Sequence, residues 1–455
     1  MGNLITLQIG QCGNQIGAEF WDRICLEHGI SNSGVVTAKI ERDRKDVFFY
    51  ESSDGRFFPR SLLIDLEPRV VTAIAQERPG LFSPESFWIG SEGGGAGNVW
   101  ATGYQRGREN AEGLLELVQR EAESCDSLDG LIIFHAVGGG TGSGLGSFIL
   151  EELRERLPKK ALQTVSIFPN NEEVSDAVVQ PYNTVLALRR LKECVDGVVA
   201  MDNGALSRVV GDALKVSSPT FVHTNRLASA VVAAATGTLR FPGSRFNDLA
   251  TLLSMAAPVP GCHFLVPSYS PLVEPGAVVV RKTTCLDVQR RLVQPKSRLV
   301  TFEESESNYM LAAVNIMTGV DAMEIEKSMV RLRQKGSLRF APWAPASIQV
   351  GINQAADQNV SGLLLSNTTG IGRALQRIAS QYDRLKKRNA FLDMYRREGQ
   401  EYVEEFEPAR ESLQWVIDEY RRAECSDYPT RTSFPGPEES VVERVSDTSI
   451  SPCPQ

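Results

Sequence analysis

No C-x-x-C pair occurs among the eight cysteines, and they are scattered along the chain instead of crowded as in a small disulfide framework. That spacing excludes paired-cysteine zinc and dithiol motifs and favours thiols kept reduced, as in the cytoplasm. Histidine is scarce, and His28, His135, His223 and His263 lie too far apart to show metal-ligand spacing, so no structural zinc is expected. No uninterrupted apolar stretch approaches the roughly 20 residues needed to span a bilayer, and membrane insertion is not expected. The start MGNLITLQIG lacks the basic region and long apolar run of a secretory signal. Gly2 formally fits an N-myristoylation pattern, but Leu4 and Ile5 read as a buried first strand. Positive charge is not in excess either: the net charge of -8 argues against nucleic acid or an anionic membrane as the main partner. The local run Lys386-Lys387-Arg388 reads as a solvated or protein-facing helix. There is no short-period repeat.

What is present describes a folded chain of several units. Apolar residues make up 42% and charged residues 23%, and 455 residues exceed one ordinary core. Residues 3 to 9 read as a strand, followed by Gly10-Gln11-Cys12-Gly13 and an amphipathic helix to about Glu27. The same grammar returns in LIIFHAV at 131 to 137, GGGTGSGLG at 138 to 146 and SFILEELRERL after it. Further apolar runs start at Ser61, Leu162 and Val195, with helical patterns at 99 to 123 and 178 to 193. Strands alternating with helices imply an α/β fold, with a mainly parallel sheet covered on both faces and ligands at its carboxyl edge.

An apolar helix at roughly 223 to 237 leads to the break Arg240-Phe241-Pro242-Gly243. Residues 260 to 370 read as strand, helix, two strands, helix and two strands, a smaller α/β unit. Helices follow near 371 to 397 and 405 to 424, with Leu385, Phe391, Leu413, Trp415 and Ile417 as apolar anchors on the preceding domains. The expected organisation is therefore 1–240, 241–370 and 371–425, then a Pro/Ser/Gly/Asp-rich tail at 426–455 with the composition of a mobile segment.

The candidate chemistry lies in the glycine loops. In the run Gly138 to Gly146, small residues allow close approach and unusual φ, successive N–H groups can surround phosphate oxygens, and the following helix N-terminus favours an anion. It is neither the dinucleotide fingerprint, whose third glycine would fall on Leu145, nor a Walker A loop, since no lysine follows until Lys159. The bland alternative is a loop packed close to its own helix. Two further loops, Gly10 to Gly13 and Gly93 to Asn98, precede helices and can reach the same edge, which favours a triphosphate over a monophosphate. Asp65 and Glu67 in DLEP end another strand and could hold hydrated Mg2+ through oxygen or water ligands, or merely cap a turn.

Taken together, GQCGNQIG at 10 to 17, DLEP at 65 to 68, GGGAGNVW at 93 to 100, GGGTGSGLG, VVQPYN at 178 to 183 and RFPG at 240 to 243 resemble the tubulin family. DRKDVFFY at 43 to 50, APWAPASIQV at 341 to 350 and YDRLKKRNAFLDMYRREG at 382 to 399 resemble its gamma branch, and the likeness covers roughly residues 2 to 425. The resemblance implies GTP/GDP with Mg2+. It places Gln11, Cys12, Asn98, Gly139, Gly140, Thr141, Gly142 and Ser143 at the phosphates, Asp65 and Glu67 near the metal, and Asp176 at the ribose. It also implies that Asn203 and Asn225 read guanine, that Gln15 lies near the same nucleotide, and that Phe221 stacks on the base. Guanine presents both donors and an acceptor, which amides can match. Val99 and Ala136 depart from the asparagine and serine usual at those places, without removing the backbone cradle.

The resemblance further implies that an acidic residue which alpha-tubulin uses to activate its neighbour's GTP corresponds here to Thr251, so this chain lacks that carboxylate. The expectation is a cytoplasmic, cytoskeletal nucleator of microtubules at a centrosome, spindle pole or equivalent organising centre. Its partners would be ring-complex proteins, alpha/beta-tubulin and laterally placed copies of itself, with weak or assembly-dependent hydrolysis and no catalytic residue of its own. The competing readings are a polymer subunit, a prokaryotic-type filament GTPase, a free-standing GTP hydrolase and a scaffold with a dead pocket.

Overall fold

The computed structural model describes residues 2–40, 42–90, 94–169, 178–216, 218–243, 245–272, 283–305, 307–334, 338–354 and 359–428. The strands, in chain order, are β1 (Asn3–Ile9), β2 (Phe49–Glu51), β3 (Phe57–Pro59), β4 (Ser61–Asp65), β5 (Phe87–Ile89), β6 (Leu128–Ala136), β7 (Ala161–Phe168), β8 (Gly197–Asp202), β9 (Phe264–Ser270), β10 (Met310–Thr318), β11 (Gln349–Asn353) and β12 (Ser361–Thr368). Ten of them form one sheet in the order β11-β10-β12-β9-β8-β7-β6-β1-β4-β5, while β2 and β3 make a small hairpin. From β5 through β9 every neighbouring pair is parallel, and β12 runs antiparallel to both β9 and β10.

Every residue of β1 and of β7 is buried, as expected for central strands covered on both faces. On one face lies the helix Gly10–Glu27, because Ile16, Phe20, Trp21 and Ile24 recur on one side of it. Phe20 and Trp21 meet Phe48, Phe49 and Phe134 at ring separations of 5.3 to 6.1 Å. The same face holds the helix Phe221–Ala235, whose buried Leu227, Ala228, Val231 and Ala235 suit an enclosed, small-residue helix. On the other face the helices Ile371–Lys387 and Phe406–Arg422 pack on Gln180–Cys194. Tyr182, Tyr382, Tyr395 and Phe406 fill that junction edge to face and stacked. The tubulin-like architecture expected from sequence is thus present: a mainly parallel sheet flanked by helices, a smaller α/β part and C-terminal helices.

Several details differ from the sequence reading. The two α/β parts share one sheet, joined at a short seam where only Val198 and Val199 of β8 pair with Phe264 and Leu265 of β9. Between the helices Cys285–Leu292 and Ala322–Gln334 the described residues form one strand, β10, not two; apart from it they make a single bridge between Arg298 and Ser268. The helical stretch 99–123 breaks at Asn110 into Trp100–Glu109 and Ala111–Glu123. The stretch 371–397 breaks after Lys387, where Asn389 and Phe391 take φ of 47° and 59°, and resumes as Leu392–Arg396. Phe391 is 47% exposed and Trp415 41% exposed, so neither is the buried anchor expected, whereas Leu413 and Ile417 are buried. Phe391 is turned out by its left-handed backbone; Trp415 lies under Lys192 Nζ, 4.4 Å from its ring centre. Most of the expected tail, from residue 429, lies outside the described residues.

The sheet order places a switch point at β1. The chain leaves β1 toward β4 and β5 on one side, then crosses to β6, β7 and β8 on the other. Loops diverge at the carboxyl ends of β1 and β6, opening a crevice there.

Candidate functional site

A cavity of about 380 Å3 occupies that crevice. Gln11, Cys12, Gln15, Asp65, Glu67, Asn98, Gly139, Gly140, Thr141, Gly142, Asn203, Phe221 and Asn225 all line it. Residues far apart in sequence and drawn from six structural segments therefore converge on one space. Two of the fifteen expected residues do not join them. Ser143 is buried with its hydroxyl donated to the Gly139 carbonyl, and Asp176 lies outside the described residues, as does Gly93 of the second loop.

The loops have the backbone their glycines permit. Gly10 turns from β1 into the helix with φ of 73°, and a Cβ there would lie 3.1 Å from Gly142 N. Gly140 packs on the second loop so tightly that a Cβ would meet Ala96 Cβ at 2.7 Å and Val99 N at 2.8 Å. After Gly140 the chain makes a π-helical turn, Thr141–Leu145, and continues as the helix Gly146–Arg156. The N-termini of this segment and of Gly10–Glu27 both face the cavity, bringing unpaired N–H groups and a partial positive potential to one side of it. Among the described residues lining the cavity none is Lys, Arg or His. An anion held here would be met by backbone dipoles and by any cation that accompanies it.

The carboxylates supply a place for such a cation. Asp65 ends β4 and is 3% exposed; its Oδ1 accepts the Glu67 N–H at 3.3 Å, and its Oδ2 is buried with no hydrogen-bond partner among the described residues. Burial, reinforced by the charge of Glu67, pushes the Asp65 carboxyl up to about 6. An orphaned, desolvated oxygen beside an exposed second carboxylate fits a hard divalent cation, which would restore the ionised form. The Cys12 thiol is also pushed up, to about 12, by burial. Burial thus favours its neutral, protonated form.

Opposite the phosphate loops, Asn203 opens the helix Asn203–Leu214, capped by Asp202, which accepts Gly204 N at 2.7 Å and Ala205 N at 3.2 Å. Phe221 and Asn225 lie in the first turns of Phe221–Ala235. That helix is tied to Gly10–Glu27 by Arg226 and Glu19 at 3.4 Å, and Asn225 and Gln15 from these two helices line the same cavity. Phe221 is 72% exposed, an open ring at the cavity mouth on which a planar base can stack. Asn203 and Asn225 together offer donors and acceptors for the edge of such a base.

Two supporting side chains were not singled out from sequence. His135, on β6, is buried, with Nδ1 2.9 Å from the Gly142 carbonyl and Nε2 2.8 Å from Ser166 Oγ. Burial lowers it to about 4, so the ring is neutral and Nδ1 carries the proton donated to Gly142. Asn183, on Gln180–Cys194, hydrogen-bonds to both glycine loops. Its place in VVQPYN was visible, but a single Asn in a helical pattern carries no sign that it is buried.

Comparison with protein families agrees with this site. The model described as the Tubulin/FtsZ family, GTPase domain, matches residues 3–211, and that of the Tubulin C-terminal domain matches residues 260–380. The two follow in chain order, and the first spans every glycine loop of the cavity and both carboxylates. The chain therefore belongs to the tubulin/FtsZ family of GTP-binding cytoskeletal proteins.

Proposed function

We propose that this chain is a microtubule-nucleating template of the gamma-tubulin kind, which holds GTP or GDP with Mg2+ at an open face that alpha/beta-tubulin covers. The observation that carries the reading is the cavity itself. Its loops suit a nucleotide, yet its described lining residues include no basic side chain, and Phe221 stands exposed at its mouth. Binding without the means of fast turnover suits a structural nucleotide that awaits a partner.

In this reading the N–H groups of Gln11, Cys12 and residues 139–143 cradle the phosphates, Asn98 contacts them, and Ser143 contributes its backbone alone. Asp65 and Glu67 hold Mg2+, directly or through water, and the cation supplies charge compensation that the lining lacks. Asn203 and Asn225 select guanine, Gln15 lies beside it, and Phe221 stacks on it. Asp176 at the ribose belongs to the same proposal. The organisation 1–240, 241–370 and 371–425 divides nucleotide binding, assembly and the outer helical surface.

Thr251 supports the absence of trans-activation. Its N–H and hydroxyl both go to Asp248, at 2.7 and 2.8 Å, so the nearest carboxylate is occupied as the cap of Leu249–Ala256. Hydrolysis of this chain's own nucleotide then depends on an acid brought by docked alpha-tubulin. Several copies held side by side by ring-complex proteins would lower the kinetic obstacle of nucleation, where each association costs about 4 to 15 kcal/mol before contacts compensate it. The corresponding location is the cytoplasmic cytoskeleton at a centrosome, spindle pole or equivalent centre.

Single-turnover hydrolysis of bound GTP, measured with and without alpha/beta-tubulin, tests the reading. Turnover that is slow alone and accelerated by the dimer is expected. Fast turnover by the isolated chain would favour a free-standing hydrolase.

A further inference from the structure

Asn183 touches no part of the cavity surface, yet each of its hydrogen-bonding positions is spent on the walls around it. Nδ2 donates to the Asn98 carbonyl at 2.7 Å and to the Gly138 carbonyl at 3.0 Å. Oδ1 accepts the Trp100 N–H at 2.8 Å and the Tyr395 hydroxyl at 2.6 Å. The residue is fully buried, so water cannot replace any of these partners.

The first pair of bonds fixes the spacing of two loops. Asn98 takes a left-handed φ of 58°, and Gly97 before it 54°, a turn that Gly and Asn adopt readily. Gly138 opens the other loop. The second pair ties this clamp to the C-terminal helical surface, since Tyr395 lies in Leu392–Arg396. Further ties run between the same parts: Thr102 Oγ1 donates to Glu398 at 2.9 Å, and Tyr402 OH to Gln105 at 2.5 Å.

We infer that Asn183, steadied by Tyr395, is a positioning residue that sets the affinity for the nucleotide's phosphates without contributing to recognition of its base. The inference rests on the cavity being the guanine-nucleotide site. Its physical basis is preorganisation: loops held at the right separation lose less freedom when they close on an anion. Asn98 and Gly138 lie on the phosphate side, whereas Asn203, Phe221 and Asn225 come from elements that Asn183 does not reach.

The test compares the affinities of GTP, GDP and guanosine in the full-length protein. Asn183→Asp keeps the volume and both acceptor contacts but sets an oxygen in place of the donor amide, so that at most one of the two hydrogen bonds to the loops survives, and only while the carboxyl is protonated. Tyr395→Phe keeps the ring packing and removes only the hydroxyl, and serves where the first variant does not fold. GTP affinity is expected to fall about tenfold in Asn183→Asp and about threefold in Tyr395→Phe, the scale of one or part of one hydrogen bond. Guanosine affinity should stay within about twofold of the parent in both. Equal loss of guanosine and GTP in the folded variants, or unchanged GTP affinity, would overturn the assignment. Asn203→Ala is the control: if it weakens none of the three ligands, the cavity reading itself fails, whereas weakening there beside a silent Asn183→Asp refutes only the positioning role.

Discussion

At the scale of single residues, the two buried titratable groups nearest the loops respond to acid in opposite senses. Asp65 is raised to about 6 from an ordinary value of 3.8, so the folded state bears its ionisation cost above pH 6 and sheds that cost as pH falls toward 4. Without nucleotide or divalent cation, Asp65→Asn should be more stable than the parent at pH 7, by at most on the order of 3 kcal/mol, with the difference vanishing near pH 4. If Asp65 holds Mg2+ as proposed, adding Mg2+ with GTP should reverse the ranking, because the variant lacks that carboxylate. Urea unfolding across this pH range reads both effects. His135 is lowered from 6.5 to about 4, so the folded state resists the proton that the unfolded chain accepts, and stability is lost as pH falls through that window. His135→Gln should flatten that part of the parent's pH dependence, whatever it costs at neutral pH; an unchanged slope would mean that His135 is accessible to protons.

At the scale of elements, the most informative contact is that between the two glycine loops. Gly140→Ala would put a methyl into Ala96 and the Val99 N–H, forcing the loops apart. We expect a loss of about 1 to 3 kcal/mol in stability and a larger proportional loss in GTP affinity than in guanosine affinity, measured by equilibrium dialysis. The strand–glycine loop–helix pattern was legible because strand and helix periodicities differ and the glycines stand between them, so β1, β4, β6, β7 and β8 fall where the apolar runs lie. The loops' convergence follows from strand order, which no local pattern contains. Misreadings came where tertiary structure overrides periodicity. Phe391 looked like an anchor on a continuous helix, but the positive φ at Asn389 and Phe391 breaks that helix and turns the ring outward. The sequence places Ser143 at the phosphates; in the π-helical turn its hydroxyl goes to the Gly139 carbonyl, a bond that no local pattern contains.

At the scale of the whole molecule, the sheet carries one crevice formed from the amino-terminal half and a mixed edge formed from the rest, joined through the short β8–β9 seam. The helix Phe221–Ala235 starts at the cavity and ends near the buried Arg240, whose guanidinium meets Glu27 at 2.7 Å and the Ala233 carbonyl at 2.7 Å. Membership of the family and the loops that would hold a nucleotide could be read from motifs such as GGGTGSGLG; the absence of basic side chains among the described residues lining the cavity became visible only when the chain was folded. In the proposed reading, charge compensation for a triphosphate then falls to the cation. Chelation of Mg2+ should weaken GTP by at least about tenfold while leaving guanosine unchanged, as calorimetry in buffers with and without a chelator would register. Equal affinities in both buffers would show that the loops alone neutralise the phosphates.

The most direct test of the account is nucleation from purified alpha/beta-tubulin below its spontaneous threshold, with this protein assembled on ring-complex partners and loaded or not with GTP. The account predicts earlier appearance of microtubules bearing this protein at one end, with the effect weakened by Asn203→Ala in proportion to lost nucleotide. Incorporation along the filament wall, or no end binding by intact GTP-loaded rings, would contradict it.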